Sequence, residues 1–212
     1  MKLLLQKNTS FNISLNTILK ITLYFIPISL ILGNALVNIS SFIIIVTLSI
    51  IFFLNKDLFN NYNKIFLIFF TFLIFIILNI CFSNDKMASF ISSLGIIRYF
   101  IIMLAILYCI EMDNKFLVNY SMFLVVIITF VAGDTLFQYF YGKDIFGIEN
   151  ATSHGNRLNG PFGDEYVVGS FLSKIFFISL FYFLLRKKSF TLLFVYLIFI
   201  LSVVFLTKER TA

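Results

Sequence analysis

Seven apolar runs divide this chain, and each is about 17 to 22 residues long, enough to cross a hydrocarbon core of roughly 30 Å as a helix. In lipid every backbone N–H and C=O must find its partner within the protein, so a chain built of such runs is restricted to helices or a closed barrel. Barrel strands alternate polar and apolar side chains, and these runs do not. The expected fold is therefore all-α: a polytopic helical membrane protein with about seven transmembrane helices, residues 1–212 forming a single transmembrane domain. The spans are expected at 17–36, 39–54, 64–82, 89–110, 116–139, 164–185 and 190–206. Pro27 and Gly33 are expected to kink the first span, and a short loop near 37–40 joins it to the second. Composition agrees, with 60% hydrophobic residues and only 12% charged ones.

Charge placement predicts orientation. With the N-terminus inside, the cytoplasmic side carries Lys2, Lys7, Lys20, Lys56, Lys64, Lys115, Arg186, Lys187 and Lys188. The other side carries Lys86, Lys143, Arg157, Lys208 and Arg210. The excess of basic residues favours a cytoplasmic N-terminus, with the Arg186–Lys188 cluster the strongest contributor. The net charge of +6 is scattered among loops, so it is a topological signal and not a nucleic-acid one. Cys81 and Cys109 fall on antiparallel spans, separated axially by roughly 27 Å at 1.5 Å per residue, too far for a disulfide. Both are expected to be buried thiols.

Polar chemistry gathers in one stretch, Gly133 to Lys174. It holds the only His, one of the four Arg and five of the acidic residues. On the predicted topology the loop at 140–163 is extracytoplasmic, and so are residues 208–212. Chemistry there has no access to cytosolic ATP, so its substrate must arrive already activated.

Within this stretch Arg157 precedes Gly160, Pro161 and Gly163, which predict a tight turn before a helix opening at Asp164-Glu165. A guanidinium beside a helix N-terminus suits an anion, and Asp164 is the expected cap. An ion pair between Arg157 and one of these acids is the plainer reading. Arg98 and Lys174 lie inside spans at similar depth, where an ionisable group is costly unless it is paired or hydrated. Together they suggest a polar cavity open to the outer face, or two isolated, tolerated charges. Asp134 and Gln138, four residues apart with Tyr141 beyond, share a helix face. They suit pairing with these cations, holding substrate hydroxyls, or a hydrogen bond between helices. Gly169 and Ser173 form a small-residue packing pair. His154 has no partner motif and reads as a solvated loop residue. One His and no clustered Cys offer no metal site, and no phosphate-binding loop, nucleophile elbow or dinucleotide fingerprint is present.

Three motifs in order carry a family resemblance. They are Asp134-x-x-x-Gln138-x-x-x-Gly142-x-Asp144, then Arg157-Leu-Asn-Gly160-Pro-Phe162-Gly163-Asp164-Glu165 followed by Gly169, and Thr207-Lys208-Glu209-Arg210-Thr211-Ala212 at a span end. In these the chain resembles the O-antigen ligase and O-antigen polymerase superfamily of the bacterial inner membrane. The resemblance implies a larger protein of about a dozen helices, of which this chain is the N-terminal part. It implies a donor glycan on undecaprenyl diphosphate and an acceptor that is lipid A-core or another glycan, with no cofactor and no nucleic acid.

Residues matching Arg157 and Arg210 would bind the diphosphate, with Arg98 and Lys174 as further cations. Asp134, Gln138, Asp164 and Glu165 would support them. The family's catalytic His lies in a later loop, so it is expected beyond residue 212, and the fragment alone is expected to be inactive. A transporter or flippase of lipid-linked glycans is the alternative, since intramembrane charges also suit it. A non-catalytic assembly factor is a third.

Overall fold

The computed structural model describes residues 2–55, 62–149, 157–187 and 189–209, and of 2–12, 91, 92 and 94 the backbone alone. Its regular elements are helices: α1 (Lys2–Leu32), α2 (Asn34–Leu54), α3 (Asn63–Phe82), α4 (Lys86–Met112), α5 (Phe116–Tyr141), a short 3₁₀ turn (Gly160–Phe162), α6 (Val168–Leu185) and α7 (Phe190–Leu206). The chain is all-α, as the apolar runs require. Among the described residues six helices are long and apolar enough to span a membrane, and α7, at 17 residues, is a shorter apolar helix.

Hydroxyl groups inside the spans satisfy themselves on their own helix. Thr22 donates to the Ile18 carbonyl at 2.8 Å, Ser41 to Val37 at 2.7 Å, and Thr47 to Ile43 at 2.7 Å. Each side chain thus closes a bond that lipid cannot supply.

Two boundaries differ from expectation. The turn between α1 and α2 sits at Gly33 and not near 37–40, because Gly33 takes φ +123°, a conformation that ends a helix. Gly33 therefore stops α1 instead of bending it, while Pro27 lies within the helix. The last helix pair is entered later than expected: α6 begins at Val168, not at residue 164.

Contacts gather into two units. One comprises residues up to Ile26 and Val37–Met112, and the other Pro27–Leu36 and Asp113–Ala212. The first has a core of Leu19, Leu23, Ile44, Ile51, Leu104 and Ala105. Tyr62 donates its hydroxyl to Glu111 at 2.6 Å, and Tyr108 donates to Asn16 at 3.0 Å, two side-chain ties within this unit. Burial and the adjacent Glu111 carboxylate push the Tyr62 phenol well above its usual range. Phe69 of α3 stacks on Phe100 of α4, ring centres 3.6 Å apart. Yet α3 has no buried residue among those described. Cys109 is buried, as expected of an apolar thiol, but Cys81 is exposed because it lies on α3.

The second unit is built on α5, α6 and α7. Its core includes Ile128, Val131, Ala132, Leu172, Ile200 and Val203, all nearly or fully buried. Ser179 of α6 and Tyr196 of α7 share a hydrogen bond of 3.0 Å inside it. At the end of α5 Gly142 turns left-handed at φ +78°, and its N–H returns to the Gln138 carbonyl at 2.9 Å. This closure sends the chain back over the end of α5, where the candidate site lies.

Candidate functional site

The 3₁₀ turn at Gly160–Phe162 is held by α5. Gln138 is fully buried, and its Oε1 accepts the N–H of Asn159 at 3.1 Å and of Gly160 at 2.8 Å. Its Nε2 donates to Asn159 Oδ1, and more weakly to the Ile148 carbonyl at 3.5 Å. Asn159 in turn donates through Nδ2 to the Gly163 carbonyl. One carboxamide thus satisfies two buried backbone donors that a loop would otherwise leave to water.

Asp134, one turn earlier, performs the same service for the preceding hairpin. Its Oδ1 accepts the Ile145 N–H at 2.8 Å, while Asp144 Oδ1 accepts the Ile148 N–H at 2.5 Å. The second oxygen of each carboxylate is buried without a hydrogen-bond partner. An exposed ion pair, Lys143 to Glu149 at 2.7 Å, closes the hairpin beside a single bridge between the same two residues. Their hydrogen bond, and after it their charge attraction, raises the Lys143 ammonium pKa and lowers that of the Glu149 carboxyl. Asp134 and Gln138 therefore share a face, as their spacing predicts, but both are engaged by loop backbone and not by a cation.

Gly160 has little freedom. It sits at φ +49°, and a Cβ placed there would lie 2.7 Å from Thr135 Oγ1 on α5 and 3.3 Å from Val168 Cγ2 on α6. Only glycine lets the turn approach both helices this closely.

Asp164 does not cap α6. The residue preceding the helix is Val167, with no side-chain cap, and Asp164 is exposed. Gly160 and Gly163 both hold positive φ, and the chain stays outside any helix from Gly163 through Val167. The cap comes from far along the chain instead. Ser170, third residue of α6, donates its N–H to Glu209 Oε2 at 2.9 Å. Lys208 takes the left-handed conformation, φ +56°, as the chain leaves α7 and brings Glu209 to that position. A carboxylate of the protein itself thus meets the positive end of the α6 dipole. Glu165 is exposed and accepts from Asn34 Nδ2 at 3.4 Å.

Arg157 opens the turn half-buried, and among the described residues it makes no hydrogen bond or ion pair. Lys174 is exposed on α6. Arg98 belongs to the first unit, where Asn38 and Tyr99 are its partners. Neither Arg98 nor Lys174 lines the clefts adjoining the turn or α7. His154 and Arg210 lie outside the described residues.

Beside the turn is an apolar cleft of about 620 Å³, lined by Ile28, Ile31, Phe130, Phe146, Pro161 and Phe162 among others. Sequence reading missed two participants. Asn159 was visible only as a loop residue, and Glu209 only as a neighbour of Arg210. Among the described residues no group of His, Cys, Asp and Glu is arranged to hold a metal ion. Compared with known proteins, the chain matches no family model, no curated protein and no solved structure.

Proposed function

We propose that this chain forms part of a glycosyltransferase acting on a glycan carried by undecaprenyl diphosphate. The acceptor is lipid A-core or another glycan, and the reaction runs at the extracytoplasmic face. The observation that carries this reading is the meeting of two distant motif segments at the start of α6. The turn that follows Arg157 packs there through Gly160, and the segment leading to Arg210 arrives through the Glu209–Ser170 bond at 2.9 Å.

Two further features support it. Arg157 keeps its guanidinium N–H groups uncommitted among the described residues, as a phosphate ligand requires. The adjoining cleft is apolar, which suits the isoprenoid part of an amphiphilic donor. In this reading Arg157 and Arg210 neutralise the charge that develops on the leaving diphosphate as the glycosidic bond breaks. The energy of the reaction resides in the donor, so no nucleotide is consumed.

The test is glycan transfer in membranes carrying the whole protein. Arg157→Ala should lower transfer by about 100-fold or more, with Arg157→Lys intermediate because it retains charge and loses the fork. Arg210→Ala should do the same while protein abundance in the membrane stays unchanged. Full transfer in both alanine variants would overturn the reading. Loss of donor movement across the bilayer, with transfer intact in detergent, would favour a flippase instead.

A further inference from the structure

Arg98 stands apart from this reading and has its own geometry. Its backbone lies twelve residues along α4, about 18 Å from the start of that helix at 1.5 Å per residue. Helical side chains lean towards the N-terminus of their own helix, so the guanidinium reaches back towards the Lys86 end. There Nη1 donates to Asn38 Oδ1 at 2.6 Å. Asn38 lies only four residues into α2. At 21 residues α2 is about 32 Å long, a close match to a hydrocarbon core of roughly 30 Å. The edge of that core thus falls near Asn34, and the Arg98 head group stands about one helical turn, some 5–6 Å, inside it.

The partners at this depth are neutral. Nη2 donates to the Tyr99 hydroxyl at 3.3 Å, and the guanidinium carbon lies 5.0 Å from the centre of the Tyr99 ring. Nε is buried with no hydrogen-bond partner, and among the described residues no carboxylate pairs with the side chain. A charged group held this way retains unspent N–H bonds and an uncompensated positive charge close to the level of lipid head groups. Asn38 fixes one arm of the fork, and the exposed Tyr99 ring flanks it with a flat apolar surface.

We propose that Arg98, Asn38 and Tyr99 form a binding site for the phosphate group of a membrane lipid. The lipid belongs to the leaflet on the side where α1 and α2 are joined. Its phosphate takes the remaining Nη N–H bonds of Arg98 as charge-assisted hydrogen bonds, and its chains lie along the apolar outer surface of α2 and α4. The site lies within the first unit and does not depend on the function proposed above.

The experiment uses the full chain in nanodiscs made of phosphatidylglycerol, or of a glucosyl diacylglycerol that has no phosphate. Wild-type protein should melt at a higher temperature in the phospholipid discs. Released gently from them, it should retain phosphatidylglycerol in a native mass spectrum. Arg98→Gln should reduce that retention by about tenfold or more. Asn38→Asp leaves the arginine in place but supplies an internal carboxylate to it. It should therefore lose the lipid to a similar extent while the protein stays folded, which guards against a failure of Arg98→Gln to fold. Equal melting of wild type in the two kinds of disc would overturn the proposal. Unchanged lipid retention in both variants would overturn it too. So would millimolar inorganic phosphate reproducing the stabilisation in phosphate-free discs, since the ligand would then be the free anion.

Discussion

Gln138 and Asn159, twenty-one positions apart, hold one another by two hydrogen bonds: Gln138 Oε1 accepts the Asn159 N–H at 3.1 Å, and Gln138 Nε2 donates to Asn159 Oδ1. Gln138→Leu would keep the volume and leave the N–H groups of Asn159 and Gly160 buried without acceptors. Each such loss costs roughly 1–3 kcal/mol. Thermal unfolding in detergent should show a destabilisation of that order. Hydrogen exchange at residues 158–163 should rise while α7 stays protected. An unchanged melting temperature would mean that the turn is held by something other than this carboxamide.

Gly160→Ala combines two penalties. The left-handed φ costs an L-residue roughly 1–2 kcal/mol, and the new methyl meets Thr135 Oγ1 at 2.7 Å. Thr135→Ala in the same chain removes the clash but not the backbone strain, so the double variant should recover part of the loss. A double-mutant cycle by thermal melting reads this coupling directly. Strict additivity of the two substitutions would show that the turn relaxes away from α5.

Glu209→Ala removes the acceptor for the Ser170 N–H and the negative charge at the start of α6, a change worth about 1 kcal/mol. Glu209→Gln keeps an acceptor and loses only the charge, so its effect should be smaller. The same ranking should appear in amide exchange at Ser170. Identical behaviour of the two variants would assign the whole effect to electrostatics.

The hairpin 143–149 should respond to acid. Lys143 lowers the Glu149 pKa below the usual glutamate range, so the contribution of their pair is fully present above about pH 4.5. It fades as the pH falls from there through the depressed value. The Lys143 pKa is raised, so loss on the alkaline side begins only above about pH 10.5. Exchange at the Asp144 amide, which donates to the Ile148 carbonyl at 3.0 Å, should be flat, after correction for intrinsic rate, between these limits and should rise below the lower one. Glu149→Gln should abolish the acid dependence. A wild-type rise beginning near pH 7 would point to a different titrating group.

The spans were legible in the sequence because each is a long apolar run, and lipid leaves such a run only one kind of structure. The Asp134–Gln138 face was legible from spacing alone. Their partners were not, since these are backbone amides of a loop whose path depends on four glycines at positive φ, Gly142, Gly147, Gly160 and Gly163. The cap of α6 failed for a related reason. Asp164 has the right chemistry in the right order, but positive φ at Gly163 delays the helix, and the carboxylate that arrives comes from thirty-nine residues away. Propensity operates within a few residues, while Glu209 reaches its place through the packing of α6 on α7. Arg157 stands out in the sequence for its place before the turn, but nothing local announces that among the described residues it makes no hydrogen bond or ion pair.

α3 buries none of its described residues, though its Phe69 stacks on Phe100 of α4. Away from that stack, a helix with so little buried surface places only a loose volume constraint on its side chains. Its sequence is therefore free to drift among Ile, Leu, Phe and Val, provided that length and oiliness are kept. In a saturation library α3 should tolerate apolar exchanges that α5, fastened at Asp134, Thr135 and Gln138, refuses. The two helices occupy the same membrane under opposite kinds of selection, one for solubility in lipid and the other for fit.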